Sequence, residues 1–183
     1  YRVGYPIADT IGGLTAALAV SAALHQKKSQ HIDVSMLESV LTTMGWAVSN
    51  LLMEHTEPSR VGNENLTSAP SGAFRTQDGL INIAANQDQQ WARLISVLAT
   101  RNLKDDPRYL TRELRKLNRY ELKSDIEKVL STKKTSHWLS LLNAANVPAG
   151  PVLSVPEALK LEQIKKRMFT HTLRQKQPSN EID

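Results

Sequence analysis

The stretch Val3-Gly4-Tyr5-Pro6-Ile7-Ala8-Asp9-Thr10-Ile11-Gly12-Gly13-Leu14 decides how this chain is read, because it sets one carboxylate, Asp9, before a small, apolar helix. Pro6 biases Tyr5 toward an extended backbone. From Ile11 to Leu24 nearly every residue is apolar or small, and a helix apolar all round is expected to be buried between other elements. Asp9 then falls at the N-cap, where a carboxylate accepts backbone N–H bonds and the helix dipole favours negative charge. Gly12 and Gly13 weaken the first turn as helix, and their use is to let another backbone or a ligand come near the carboxylate. Two readings of Asp9 follow, a structural cap and a functional carboxylate, and the residues alone do not separate them.

Working outward, Gln26 to Gln30 is a polar turn and His31-Ile32-Asp33-Val34-Ser35-Met36 alternates with the period of a half-buried strand. A long helix is expected over Met36–Met53, with Leu37, Val40, Leu41, Met44, Val48, Leu51 and Leu52 at helical spacing. Helix, strand and helix read as an α/β layer over residues 1–55. Residues 56–68 are polar, carry Pro58 and Gly62, and read as a linker. Residues 69–150 read as a small α+β domain. In it, Asp78-Gly79 turns a hairpin between strands near 72–76 and 80–85, and Asp88 caps an amphipathic helix carrying Trp91, Leu94, Ile95 and Leu98. One or two helices marked by Leu114 to Leu130 break near Asn118, and Thr135 caps another. Asn146 to Val152 forms a turn and a short extended piece. Residues 151–183 read as a return segment in which Ser154 and Pro156 open a helix to Arg167, with Thr170–Leu173 as a further strand.

The composition narrows the chemistry. Among 183 residues, 23 Lys+Arg oppose 18 Asp+Glu, a net charge of +5 spread without a basic block. This suits an anionic small molecule better than nucleic acid, since no aromatic residues interleave with the basic ones. There is no cysteine, so no disulfide, thiol nucleophile or cysteine metal site, and a reducing compartment, the cytoplasm, is expected. The five histidines lack H-x-x-x-H spacing, so no metal is expected. No Gly-x-Ser-x-Gly elbow or Walker loop is present. No signal peptide is read, and the apolar run near the start falls short of the roughly 20 residues of a membrane span. Trp46, Trp91 and Trp138 are read as core residues. The chain begins at Tyr1 rather than Met and is expected to be a fragment.

Several stretches, taken in order, resemble the family III CoA-transferases (the CaiB/BaiF group, with formyl-CoA transferase and carnitine CoA-transferase). They are residues 3–14; Gly62-Asn63; Pro70-Ser71-Gly72-Ala73-Phe74-Arg75-Thr76-Gln77-Asp78-Gly79; Asp106-Pro107-Arg108-Tyr109; Asn118-Arg119; and Val147-Pro148-Ala149-Gly150-Pro151-Val152. The resemblance implies part of a Rossmann-like large domain followed by a small α+β domain, a fragment of an interlocked-dimer fold. It implies an enzyme moving coenzyme A between an acyl-CoA and a carboxylic acid through aspartyl anhydride and aspartyl-CoA thioester intermediates. Asp9 lies where the family keeps its catalytic aspartate, and Gly12, Gly13 and Met36 are the implied contacts to coenzyme A, a substrate and not a tightly bound cofactor. Met36 is equally open to a core role. The implied partners are acyl-CoA, a carboxylic acid and a second copy of the chain in a homodimer, with no nucleic acid and no membrane. Members are longer, and the turn at Lys27-Lys28-Ser29-Gln30 lacks the family's Thr-Gly-Arg-Gly. The fragment alone is therefore expected to be inactive. The alternative is an acyl-CoA racemase, in which the aspartate pairs with a histidine for proton transfer. Ala8-Asp9-Thr10 is more similar to the transferases than to the Gly-Asp-Phe of the racemases. A further reading is a non-catalytic fragment or dimerisation domain.

Overall fold

The computed structural model describes residues 4–26 and 28–171. The chain falls into two compact units, residues 1–60 and 61–183.

The first unit is helical among its described residues. Helix α1 spans Ile7–His25, starting three residues before the Thr10 that a cap at Asp9 implies. Pro6 is its N-cap, and it takes both the N–H (3.0 Å) and the hydroxyl (2.9 Å) of Thr10 on its carbonyl. Asp9 is thus the third residue of the helix and not its N-cap. The expectation that α1 is buried all round is also corrected: only Gly12 is buried, and Leu18 is 73% exposed. At 19 residues and mean hydropathy 1.6, α1 is long and apolar enough to cross a membrane by length and composition. The core helix of a soluble protein has the same length and composition.

Residues 28–35 form no strand. Alternation supplies two faces, but a strand also needs a neighbour for its backbone groups, and there is none among the described residues of this unit. Ser35 instead ends the extended run by capping α2, Met36–Thr43, its hydroxyl accepting the Glu38 N–H at 3.2 Å. The expected long helix is two. Gly45, at φ +45°, breaks it, and α3 runs over Trp46–Glu54.

The second unit is built on the hairpin that Asp78-Gly79 signalled. Strands β1 (Ser71–Arg75) and β2 (Leu80–Ala84) pair antiparallel, with Phe74 opposite Ile81, and β3 (Ala149–Pro151) adds to β2 with Gly150 opposite Asn82. Helices follow over Asp88–Leu98 (α4), Arg101–Lys104 (α5), Arg112–Leu117 (α6), Arg119–Leu130 (α7) and Thr135–Ala144 (α8). The break at Asn118 separates α6 from α7 as the sequence predicts. Phe74, Ile81 and Ile83 share a core with Trp91, Leu94, Leu122, Ile126, Leu130, Trp138 and Leu142. Each such side chain contributes about 1.5–3 kcal/mol by leaving water. The Trp138 indole N–H is satisfied at 2.7 Å by the Leu130 carbonyl.

Two expected caps move by one residue. Gln87, not Asp88, is the N-cap of α4, its N–H bonded to the Gln90 side chain at 3.1 Å. Lys134 stands at the N-cap of α8, and Thr135 is the first helical residue. The Thr135 N–H (2.7 Å) and hydroxyl (2.9 Å) both donate to Asp78, so the turn carboxylate caps a helix 57 residues away. The predicted final helix splits into α9 (Val155–Leu159) and α10 (Glu162–Lys166), with Ser154 as N-cap of α9. Thr170 and His171 are not strand, and residues 172–173 lie outside the described residues.

Two predictions follow from these contacts. Gly72 has φ +153°, and a Cβ there would meet the Asn63 carbonyl oxygen at 2.5 Å. Gly72→Ala is expected to cost about 3 kcal/mol, at the upper end of overpacking losses, read as a lower urea midpoint with unchanged m. The backbone N–H and then the hydroxyl of Thr135 hold the Asp78 carboxyl below its ordinary value. A depressed folded pKa adds stability that is complete above the unfolded value and is lost as pH falls through the folded one. Asp78→Asn should therefore be less stable than the parent near neutrality, with the gap closing below about pH 4 in urea titrations across pH.

Candidate active site

The first turn of α1 carries the reactive candidate. The Ile7 N–H reaches back to the Tyr5 carbonyl at 2.8 Å, and the Thr10 N–H takes Pro6. The N–H groups of Ala8 and Asp9, lying between, have no carbonyl partner among the described residues. They belong to the set of amides every helix start leaves open, and they give that end its positive potential. Pro6 has no side-chain acceptor to fill them. The Asp9 carboxylate is exposed and enters no hydrogen bond or ion pair among the described residues. A structural cap would be spent on backbone amides; Asp9 is not.

The neighbours of Asp9 separate into two kinds. Gly12 is buried because α2 packs on it: a Cβ at Gly12 would lie 3.3 Å from the Met36 Cγ and 3.9 Å from the Met36 Cα. Gly13 is exposed, with nothing within 4 Å of the position its Cβ would take. Met36 is the first residue of α2, fixed there by the Ser35 cap and by the Ser39 hydroxyl bonded to the Ser35 carbonyl at 2.8 Å. The structure therefore brings Gly12 and Met36 into contact and leaves Gly13 bare on the Asp9 side of the helix, since positions 9, 12 and 13 share a face.

The signature residues of the second unit are occupied otherwise. The Arg108 guanidinium bonds Asp106 at 2.7 Å and reaches Asp125 at 3.4 Å, while the buried Tyr109 hydroxyl donates to Asp125 at 2.9 Å. Lys128 completes the chain at 2.7 Å from Asp125. The Arg108 side chain holds the Asp106 carboxyl low, and Lys128 does so for Asp125. The Asn118 amide donates to the Arg108 carbonyl at 3.1 Å, and Arg119 clamps the carbonyls of Asn65 at 2.6 Å and Leu66 at 3.2 Å. A cleft of about 600 Å³ opens beside Thr100, Leu103, Asp106, Arg108, Asp125 and Lys128. Its charges neutralise one another, so no carboxylate there is free to attack. Sequence reading missed the buried Arg115, which donates to Asp88 and to the Tyr109 carbonyl at 3.1 Å and stacks on Trp91 at 5.1 Å. No local pattern marks a pair 27 residues apart.

His25 bonds the Ser21 carbonyl at 2.9 Å and His137 sits edge-on to Trp138 at 5.2 Å; neither approaches a second ionisable ligand. Among the described residues there is no group of three or more His, Asp or Glu able to hold a metal.

The model of CoA-transferase family III matches residues 1–182. The chain is 33% identical over 168 residues to acetyl-CoA:oxalate CoA-transferase of Acetobacter aceti, covering 90% of this chain and 43% of that protein. It is 32% identical over 167 residues to succinyl-CoA:glutarate CoA-transferase of Homo sapiens, covering 89% and 38%. The crystal structure of a CaiB/BaiF family protein from Brucella suis superposes with TM-score 0.78 at 29% identity, over 91% of this chain and 45% of that one. The chain thus spans less than half the length of the relatives it matches.

Proposed function

We propose, from the premise that this chain belongs to CoA-transferase family III, that the protein carrying it moves coenzyme A between an acyl-CoA thioester and a free carboxylic acid, with Asp9 as nucleophile. The observation that carries the reading is the exposed, unpaired carboxylate in the first turn of α1, beside two amides without carbonyl partners. Two relatives are named for transfer of coenzyme A, one with oxalate and one with glutarate as the acid.

In this mechanism an Asp9 oxygen attacks the thioester carbonyl, the C–S bond breaks and the thiolate of coenzyme A leaves. The product is a mixed anhydride on Asp9. The thiolate attacks the aspartyl carbonyl, expels the donor carboxylate and leaves an aspartyl-CoA thioester. The acceptor carboxylate then attacks that carbonyl, releasing thiolate and forming a second anhydride. Thiolate attack on the acceptor carbonyl yields the new acyl-CoA and returns Asp9 as a carboxylate. No net proton moves, so a carboxylate with no bound proton donor is suited to the task. The open N–H groups of Ala8 and Asp9 are placed at the end of the helix where negative charge is favoured. Gly13 offers bare backbone for close approach. Gly12 and Met36 shape the surface next to it and, with Gly13, are the contacts assigned to coenzyme A, a substrate here and not a resident cofactor. The same reading takes a second copy of the chain as subunit partner, consistent with the exposed leucines of α1, and the cytoplasm as compartment.

The test uses the full-length protein bearing this chain. With acyl-CoA and hydroxylamine, mass spectrometry is expected to find a hydroxamate at Asp9, and Asp9→Ala is expected to lower kcat by about 10³-fold or more. An unmodified Asp9 with exchange of the α-proton of the acyl group for solvent deuterium would favour the racemase instead.

A further inference from the structure

The cleft of about 600 Å³ in the second unit is neutral in net charge but one-sided in hydrogen bonding. Every carboxylate oxygen on its wall already accepts. Asp106 takes the Arg108 N–H at 2.9 Å and Nε at 3.1 Å on one oxygen, and Nη2 at 2.7 Å on the other. Asp125 takes Lys128 at 2.7 Å on one oxygen and the Tyr109 hydroxyl at 2.9 Å on the other. The cations are not used up in return, since an ammonium carries three N–H donors and a guanidinium five. Lys128 makes one hydrogen bond among the described residues and is 71% exposed, and the Arg108 Nη1 makes none. The Asn102 carboxamide, on the same wall, also enters no hydrogen bond among the described residues. Spare donors from α5, the turn after Pro107 and α7 thus line one cleft. Ala99, Leu103 and Val129 give that cleft an apolar side. The hydroxyl of Thr100, another wall residue, is closed off from water without a partner among the described residues, an exception to the rule that buried polar groups are bonded.

We propose that this cleft binds a small carboxylate carrying a short hydrocarbon chain, with the carboxylate on Lys128, Arg108 and Asn102 and the chain against Leu103 and Val129. A planar carboxylate matches the free edge of a guanidinium and supplies the acceptors that the resident aspartates no longer offer. A cationic ligand would find those acceptors taken. Inorganic phosphate would meet the donors and leave the apolar side uncovered. The volume lies within the range of small-molecule sites. Such binding does not depend on Asp9.

The experiment uses the full-length protein and the photoprobe 4,4-azipentanoate, with its neutral amide as control, and maps insertion by mass spectrometry. Insertion is expected within residues 99–108 and 125–129, with butyrate competing better than inorganic phosphate. The amide should label about ten-fold less, the loss of a hydrogen-bonded charge. Lys128→Glu should lower labelling by about ten-fold and Lys128→Ala by less, since charge reversal adds repulsion. Arg108 is left in place because it anchors the turn through Asp106. Asp9→Ala should label as the parent does, so loss of the catalytic reading leaves this one measurable. Insertion only outside those segments, equal labelling by the amide, or Lys128→Glu within about two-fold of the parent would overturn the site. Competition by phosphate as strong as by butyrate would mean that the chain is not recognised, and would overturn the assignment of its ligand.

Discussion

A guanidinium almost sealed from water organises the second unit. The Arg115 side chain is 1% exposed. Leaving such a charge unpaired in the interior costs several kcal/mol, so its neighbours are constrained to meet it. Asp88 must stand at the start of α4, the Tyr109 carbonyl must turn inward, and the Trp91 ring must lie beneath the cation. These demands fix α4, the turn after Pro107 and α6 relative to one another before any apolar side chain is counted. Its Nε is left without a hydrogen bond, which shows how fully apolar packing closes round it. The hairpin is joined to the same unit by a second polar tie, Lys123 to Glu64, beside the Gly72 backbone.

The first unit is arranged by the opposite means. Its close contact is made by the absence of a side chain at Gly12, and most of its apolar residues face outward. Leu14, Leu18 and Leu24 on α1, with Leu37 on α2 and Leu52 on α3, leave more hydrocarbon uncovered than a small soluble unit normally does. The charged second unit stands by its own core; the first is a set of helices whose best stabilising surface is still open.

What could be read from the sequence follows this division. Asp78-Gly79 announced the hairpin because the turn chemistry is local, and Trp91, Leu94, Ile95 and Leu98 announced α4 because the periodicity is local. Asn118 marked the break between α6 and α7 for the same reason. His31 to Met36 misled because alternation describes faces and says nothing of a pairing partner. The start of α1 is not legible because Pro6, which biases Tyr5 toward extension, itself stands at the helix N-cap. A later start would put Asp9 at the cap; the structure places it inside the first turn, with its carboxylate unpaired among the described residues. Arg115 with Asp88, and Asp78 with Thr135, were invisible because each pair spans a long loop of chain and neither residue type declares its partner. The ordered set of motifs was legible without any of this, since order along the chain survives errors of element boundary.

The polar ties of the second unit bear on what a family signature reports. Asp78, Asp106, Arg108, Tyr109, Asn118 and Arg119 are recognition motifs in the sequence, yet each is engaged in holding a turn, a helix start or a loop carbonyl. Their visible work in the structure is to hold the fold. A descendant that exchanged Asp9 for a neutral residue could keep every one of them, remain stable, and still be matched to the same family. On the proposed reading of Asp9, scaffold and chemistry are separable, and the first helix is where they part.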